Sequence, residues 1–295
     1  MKGWWLAFLV LLAACELPEA TTDVDSVEPV VEAPLRLDTL RVIFPDVGQG
    51  GAAIVQTPDG KNILYDCGRS RAALFDDLEH FGITTIHLLI TSNPDADHIG
   101  TCRDVLRDYE VLRVVDNGQN KDTKTSEEYR ALASTHDYAS VEQDTVDPDF
   151  PWLNYLVAYD TRGWDQSSVN ENSLGMKLTW GDATFLFTGD CENDCEAELV
   201  STAELDADVY QAGHHGSRTS STEYLLEEVT PEIVFISAGE GNTYGHPHPQ
   251  VIDRIDDHTE NIFVTYEDGT LVAETDGSTI RIMKPDGTLL LWRKA

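Results

Sequence analysis

Positive charge is the scarcest property of this sequence. Its 295 residues include 20 lysines and arginines against 53 aspartates and glutamates, which gives a formal net charge of −33 at pH 7. A surface this acidic repels polyanions and anionic lipid, so the chain as a whole does not bind nucleic acid or membrane through a broad basic face. Net charge does not describe a local site, and solubility in salty surroundings also favours an acidic surface.

Long apolar runs are also missing. The run at residues 4–14, which follows Lys2, is too short to span a bilayer but has the length of a signal-peptide core. It ends in Leu12-Ala13-Ala14-Cys15, which resembles a bacterial lipobox. We therefore predict a lipoprotein signal peptide at residues 1–14 and an exported bacterial lipoprotein, held at the membrane of the cell envelope through a lipidated Cys15.

Residues 15–37 are acidic, contain proline and lack aromatic side chains, which predicts a disordered tether. The alternative to the lipobox is an ordinary signal peptide with a coincidental cysteine.

Cysteine is also sparse, with five residues in the chain. Beyond Cys15 an even number remains, which fits disulfide bonds in an oxidising compartment. We expect Cys67 to pair with Cys102 and Cys191 to pair with Cys195. Free thiols and a thiol metal site are the alternatives, although neither pair has the C-x-x-C spacing of structural zinc sites.

Apolar and turn patterns predict one α/β domain over residues 38–295. Strands are expected at residues 40–44, 52–56, 62–66, 85–91, 111–115, 173–180, 184–188, 207–212 and 232–237. Helices are expected at residues 72–81, 100–109, 126–136, 193–203, 221–228 and 249–257. The tail contains Asp-Gly turns between short strands. The chain begins with consecutive strands, continues with alternating helices and strands, and ends with consecutive strands. This order indicates two sheets packed between helices.

Polar residues cluster where these strands end. The densest group, Asn93-Pro94-Asp95-Ala96-Asp97-His98, places two carboxylates and an imidazole within four residues. Such donors after a strand are typical of a metal at the edge of a sheet. The other groups are Asp46-Val47-Gly48-Gln49-Gly50, Asp66-Cys67-Gly68, Thr188-Gly189-Asp190, Gly213-His214-His215-Gly216-Ser217 and Tyr244-Gly245-His246-Pro247-His248-Pro249. Each group alone is ordinary, but their joint order is specific.

The ordered groups resemble the metallo-beta-lactamase superfamily, and within it the C-terminal hydrolase domain of the competence protein ComEC, over nearly the whole domain. The segment at 93–98 is similar to the H-x-H-x-D-H signature of the superfamily, with Asn93 and Asp95 at the first two histidine positions. The resemblance implies a four-layer αββα sandwich in a single domain. It also implies a divalent metal cofactor, with one or two ions of zinc or manganese.

The same resemblance implies the metal ligands. One ion is held by Asp97, His98 and either His214 or His215, and that half-site is complete. The other half-site offers Asn93 and Asp95, with Asp190 as the bridging carboxylate. The middle motif, Asn170-Glu171-Asn172-Ser173, supplies no histidine. A neutral amide oxygen is a weak ligand for zinc, so this second half is expected to bind poorly or to accept manganese or magnesium.

The activity implied by the resemblance is hydrolysis of a phosphodiester by a metal-activated water. Asp97 or Asp190 is expected to orient that water, and Asp46 and Asp66 are expected to play structural roles. The remaining catalytic candidates, which would contact the phosphate or the leaving oxygen, are Ser217, His246 and whichever of His214 and His215 does not bind metal.

The substrate stays open between DNA and a smaller phosphodiester. Loop cations that are candidates to line the site are Arg69, Arg71, Lys121, Lys124 and Arg218. Asn93 also permits a different interpretation, in which the chain is a degenerate, non-catalytic surface binding module with the same fold. The sequence implies no protein partner.

Overall fold

The structure is a computed structural model that describes residues 39–158 and 168–295. The first range contains β1 (Leu40–Phe44), β2 (Ala53–Gln56), β3 (Asn62–Tyr65), α1 (Arg71–His80), β4 (Thr85–Ile86), β5 (Leu88–Thr91), α2 (Ala96–Ile99), α3 (Cys102–Asp108), β6 (Glu110–Val111), β7 (Arg113–Asp116), α4 (Lys124–Ala133), β8 (Asp137–Ser140), β9 (Thr145–Val146) and β10 (Leu153–Val157).

The second range begins with a 3₁₀ turn at Asn170–Asn172 and has another at Gly213–Gly216. Its other elements are β11 (Leu174–Trp180), β12 (Ala183–Phe187), α5 (Asn193–Thr202), β13 (Val209–Gln211), α6 (Glu223–Val229), β14 (Ile233–Ile236), α7 (Pro249–Asp256), β15 (Ile262–Val264), α8 (Thr265–Asp268), β16 (Leu271–Thr275), β17 (Thr279–Met283) and β18 (Leu289–Lys294).

Two large sheets form the centre of the fold. The nine-stranded sheet has the order β18-β17-β16-β1-β2-β3-β5-β7-β8, and the seven-stranded sheet has the order β15-β14-β13-β12-β11-β10-β9. Strands β3 and β5 are parallel in the first sheet, and β12, β13 and β14 are parallel in the second. Parallel strands bring their carboxyl ends to one edge, so the polar groups that follow them gather there.

Apolar side chains fill the space between the sheets and cover both outer faces. The inner core joins Phe44 to Phe235, whose ring centroids are 3.8 Å apart. Outside the nine-stranded sheet, Leu74 of α1 and Val105 of α3 pack in a second cluster. Helices α5, α6 and α7 cover the other sheet. These layers confirm the predicted αββα sandwich in a single domain.

The structure differs from the predicted elements in several places. The short helices α2 and α8 were not expected, and the strand expected at residues 111–115 is divided into β6 and β7. The run at residues 85–91 is divided into β4 and β5, because β4 pairs with β6 in a separate two-stranded sheet. Strands β8, β9 and β10 were not expected. β8 and β9 are mostly exposed and polar, so no apolar alternation marks them.

The predicted signal peptide at residues 1–14 and the tether at 15–37 lie outside the described residues. Across the two described ranges, no helix combines the length and the apolar character needed to cross a membrane.

Both expected disulfide bonds are present. Cys67 pairs with Cys102, with Cα atoms 5.2 Å apart, and Cys191 pairs with Cys195 at 5.4 Å. The first bond joins the loop after β3 to the start of α3, and the second joins the loop after β12 to α5. Bonded sulfurs leave none of these four cysteines as a free thiol or a thiolate ligand.

A buried glutamate supports the segment between the histidine turn at Gly213–Gly216 and α6. Glu196 of α5 is fully buried and accepts hydrogen bonds from the backbone N–H of Ser221 at 2.6 Å and of Thr222 at 2.9 Å. The Thr222 hydroxyl donates a third, at 2.6 Å. Burial raises the pKa of Glu196 to about 7, although the hydrogen bonds and Arg254 oppose the shift.

We predict that Glu196 makes stability depend on pH. Its pKa when folded is above the ordinary 4.5, so the folded protein binds the proton more tightly than the unfolded chain does. The stabilisation is complete below pH 4.5 and is lost as pH rises through about 7. Glutamine does not titrate. The difference in unfolding free energy between the wild type and Glu196→Gln, measured by urea denaturation in EDTA, should therefore shrink by on the order of 3 kcal/mol from pH 4.5 to pH 8. A constant difference over this range would contradict the raised pKa.

Candidate metal centre

The carboxyl ends of five strands meet at one edge of the sandwich. Asp66 follows β3, and the one-turn helix α2, which carries Asp97 and His98, follows β5. From the other sheet, Asp190 follows β12 and the turn with His214 and His215 follows β13. His246 lies in the loop between β14 and α7. Motifs that are far apart in the sequence thus lie together in one cluster.

His98 is held by its Nδ1 atom. That atom lies 2.8 Å from Asp66 Oδ2 and 3.0 Å from the Ser92 hydroxyl, and the side chain is almost completely buried. A Cβ at position 51 would lie 3.2 Å from this nitrogen and 3.3 Å from Asp66 Oδ2, so Gly51 leaves room for the pair. With Nδ1 facing a carboxylate, a proton is held there, and Nε2 is the nitrogen that points into the site.

His215 is held in the same way by a different acceptor. Its Nδ1 lies 2.9 Å from the backbone carbonyl of Ser237. Its Nε2 lies 3.6 Å from Asp97 Oδ2 and 3.6 Å from Asp190 Oδ1. Both His214 and His215 have left-handed backbones, with φ of 48° and 56°. Such strain in non-glycine residues is tolerated where the surrounding structure requires it, often at functional sites.

His98, His215 and Asp190 line a cavity of about 10 Å³, the size of one ion or water. Ligand atoms of Asp97, His98 and His215 all lie within 4.8 Å of one another. Asp190 Oδ2 is 3.0 Å from His98 Nε2. Three buried atoms have no hydrogen-bond partner in this arrangement: His98 Nε2, His215 Nε2 and Asp190 Oδ1. Because unpaired buried polar atoms are costly, two imidazoles and two carboxylates so arranged fit a divalent metal ion.

The carboxylates of this cluster are ionised. Burial alone would raise the pKa of Asp97, but His215, whose Nε2 lies 3.6 Å away, and the charge of His98 lower it to about 2. Burial also opposes ionisation of Asp190, and the charges of His98 and His215 nevertheless hold its pKa well below the ordinary value. Both groups therefore offer anionic oxygens at neutral pH.

The second predicted half-site is occupied by contacts within the protein. Asn93 Oδ1 accepts the backbone N–H of Asp95 at 2.9 Å, and its Nδ2 donates to Ser173 at 3.3 Å. The Asp95 carboxylate forms an ion pair with Lys121. Asn93 and Asp95, which were expected to hold a second ion, thus already have partners within the protein.

The remaining predicted residues line the rim. His214 Nδ1 lies 3.0 Å from Glu192 Oε1, and its Nε2 lies 3.7 Å from Asp190 Oδ2. The Ser217 hydroxyl lies 3.0 Å from that of Thr219. The His246 ring centroid is 5.5 Å from that of His214. Burial and the neighbouring histidines lower the pKa of His246 to about 4, so it is uncharged at neutral pH.

The other loop cations form pairs of their own. Arg71 pairs with Asp108, and Lys124 with Glu128, both away from the cluster. Arg218 Nη2 lies 3.0 Å from His248 Nε2, on the same rim as His246. Asp46 accepts the backbone N–H of Gly48 at 3.1 Å and closes a turn.

Two contacts at the site were not predicted. The first is the contact of Glu192 with His214. Its only signal in the sequence is that Glu192 lies two residues after the candidate ligand Asp190. The pairing of Lys121 with Asp95 joins residues 26 apart and has no local signal. In the middle motif, Ser173 Oγ accepts the backbone N–H of Asp190 at 3.1 Å, so this motif supports the metal centre through a hydroxyl.

Comparison with known proteins agrees with this geometry. The family model described as Metallo-beta-lactamase superfamily matches residues 45–240. Recombination protein 2 of Haemophilus influenzae is 31% identical over 228 residues, which are 75% of this chain and 26% of that protein. ComE operon protein 3 of Bacillus subtilis is 26% identical over 249 residues, 77% of this chain and 32% of that protein. The chain thus spans about a quarter to a third of the length of these relatives.

A solved structure shares the fold. The metallo-beta-lactamase fold protein YhfI from Bacillus subtilis superposes with a TM-score of 0.52 at 12% identity, covering 80% of this chain and 100% of that chain.

We predict that Asp66→Asn lowers the affinity for zinc by about 10- to 100-fold, because an amide no longer fixes the proton of His98 on Nδ1. Competition with a chromophoric chelator measures this affinity. Asp46→Asn is the matched control, since Asp46 also follows a strand but closes a turn, and it should bind zinc as the wild type does. Equal affinities for all three proteins would show that Asp66 does not support the site.

We also predict one equivalent of tightly bound metal per wild-type chain. Asn93→His alone should add little, because Lys121 still neutralises Asp95. The double variant Asn93→His/Lys121→Ala should take up a second equivalent, since it offers an imidazole and a free carboxylate together. Elemental analysis after dialysis counts the ions, and an unchanged count in the double variant would mean that these residues do not form a second site.

Proposed function

Because the chain belongs to the metallo-beta-lactamase superfamily, whose members are mostly metal-dependent hydrolases, we propose that it hydrolyses phosphodiester bonds with the help of a bound divalent ion. The observation that carries this proposal is the cluster of His98, His215 and Asp190, which line one small cavity with three unpaired polar atoms, and the neighbouring carboxylate of Asp97.

Asp97, His98 and His215 would hold the ion, with Asp190 beside it. Two imidazoles suit zinc, and two carboxylates also accept manganese. A bound ion supplies a water molecule of lowered pKa and a positive charge beside the phosphoryl oxygens. Asp97 and Asp190 are ionised and anchored, so either can accept a hydrogen bond from the attacking water and fix its direction.

The rim residues act on the leaving group. His214 is partly exposed, and its Nδ1 lies beside Glu192, 3.0 Å from Oε1. An imidazole held beside a carboxylate at the rim is placed to pass a proton to a departing alkoxide. His246 is neutral and presents a ring that contacts the substrate without adding charge.

The choice of a phosphodiester has two supports. The name of the Haemophilus relative, Recombination protein 2, points to nucleic acid. The rim also offers a cation in an otherwise acidic protein, namely Arg218 beside His248. A smaller phosphodiester is the other candidate substrate, because the net charge of −33 repels a long polyanion.

A non-catalytic surface binding module with the same fold is the second candidate function. One observation favours it, which is that contacts within the protein occupy Asn93 and Asp95. The complete half-site with ionised carboxylates favours catalysis.

We further propose that the hydrolase works outside the cytoplasm, anchored through a lipidated Cys15. The two disulfide bonds support this location, because such bonds persist in oxidising compartments.

We predict that the zinc- or manganese-loaded protein hydrolyses bis-p-nitrophenyl phosphate and that EDTA abolishes the reaction. Asp97→Asn and His215→Ala should lower the rate by about 100-fold or more, since each removes a donor to the ion. His136→Ala is the matched control, because His136 bonds only within its own turn, to Thr135 and Leu132. Absorbance of p-nitrophenolate and metal content are followed in parallel. A protein that holds neither metal nor activity would refute the enzyme and leave the binding module.

A further inference from the structure

An exposed aromatic ring continues the row of histidines outward from the metal centre. Tyr244 is 57% exposed. Its ring stacks on that of His246, with centroids 5.6 Å apart and planes inclined by 28°. The His246 centroid is in turn 6.4 Å from that of His215. One face of the tyrosine thus packs on the wall of the site, and the ring has room for a second planar group.

The loop that carries this ring is fixed by hydrogen bonds. Asn242 Oδ1 accepts the backbone N–H groups of Tyr244 at 3.1 Å and His246 at 3.0 Å. Its Nδ2 donates to the Gly239 carbonyl at 2.9 Å, and the Gly239 N–H donates to Gln49 Oε1 at 3.3 Å. The ring therefore stays in place although little of it is buried, and a ligand that stacks on it orders few additional groups.

A cation stands on the same rim. The His248 ring centroid lies 4.9 Å from that of His246. The backbone N–H of Arg218 donates to His248 Nδ1 at 3.2 Å, and the Arg218 guanidinium lies beside the same ring. An aromatic ring and a guanidinium at the two ends of one row of side chains match the two chemical parts of a nucleotide, which are a planar base and an anionic phosphate.

We propose that Tyr244 is a stacking subsite for a nucleobase of the substrate, next to the metal centre where the phosphodiester is cleaved. This subsite deepens the proposed function and rests on it. Stacking does not depend on net charge, so it provides affinity that this acidic surface cannot provide through phosphate contacts alone. The ligand chemistry is a nucleobase joined to a phosphodiester, in a single strand or in a small nucleotide ester.

Binding is tested with the zinc-loaded full chain and fluorescently labelled strands. One strand has twelve thymidines, and the other has twelve abasic residues with the same number of phosphates. We expect fluorescence anisotropy to show that the thymidine strand binds about 5- to 150-fold more tightly, which corresponds to 1–3 kcal/mol for one stacked base. Gel electrophoresis after each titration confirms that the strands are intact.

Three variants separate stacking from other causes. Tyr244→Ala should lose the preference for thymidine, whereas Tyr244→Phe should keep it because the ring remains. Trp292→Ala is the matched control, since Trp292 is also exposed, at 54%, but lies on the edge strand β18 of the other sheet. It should behave as the wild type does. Equal binding of both strands by the wild type, or a preference that survives Tyr244→Ala, would overturn the subsite.

The outcome is distinguishable from failure of the proposed function. A thymidine preference without hydrolysis of any phosphodiester would support the subsite and refute the enzyme. Hydrolysis without a preference for the thymidine strand would support the enzyme and refute the subsite. Competition by the dinucleotide of thymidine identifies the source of the base: displacement at a concentration similar to that of the strand indicates a small nucleotide ester, and displacement only by the strand indicates single-stranded nucleic acid.

Discussion

The contact between the buried carboxylate of Asp66 and the ring of His98 determines the shape of the site. Asp66 Oδ1 accepts the backbone N–H of Ser92 at 2.7 Å, and Oδ2 accepts the Ser92 hydroxyl at 2.7 Å and faces His98 Nδ1 at 2.8 Å. Three donors offset the cost of burying a charge. Because Asp66 follows β3 and Ser92 follows β5, one carboxylate joins two strand ends to the helix that carries the metal ligands.

Disulfide bonds and hydrogen bonds also hold the other candidate ligands in place. The disulfide from Cys67 fastens the residue after Asp66 to α3, and the one from Cys191 fastens the residue after Asp190 to α5. Ser173 connects the two sheets at the site, since its hydroxyl bonds both Asn93 and the backbone of Asp190. The donor atoms are thus held in place by the protein itself, so a metal ion would enter an already arranged set of ligands, which lowers the cost of binding.

Much of the fold and half of the site could be predicted from the sequence, for a physical reason. Strand periodicity and the ordered polar groups depend on residues that are close in the chain, and they located β1 to β3, the hairpin β11–β12 and the cluster of Asp97, His98 and Asp190. The sequence could not show which of His214 and His215 faces the metal centre, because both follow the same strand. Only the left-handed backbone of the turn directs the Nε2 atom of His215 towards Asp97 and Asp190.

Contacts between side chains that are far apart in the sequence could not be predicted either. The pairing of Lys121 with Asp95 changes the interpretation of the second half-site more than Asn93 does, yet nothing in the sequence near either residue indicates it. Strand β8 was missed for a related reason: its position is set by pairing with β7, and its own side chains are mostly polar and exposed.

The acidic surface is compatible with the proposed anionic substrate once the range of electrostatic repulsion is considered. At physiological ionic strength the field of a surface charge decays over about 8 Å, so a net charge of −33 slows the approach of a polyanion but does not determine its contacts in the site. At contact distance the local groups dominate, and the rim presents Arg218 and the ring of Tyr244. Repulsion at long range also selects against duplexes and long strands bound by phosphates alone. The sum of these effects favours a substrate that brings few phosphates and an accessible base to the metal centre, because only such a ligand gains the stacking contact without paying the full repulsion of the surface.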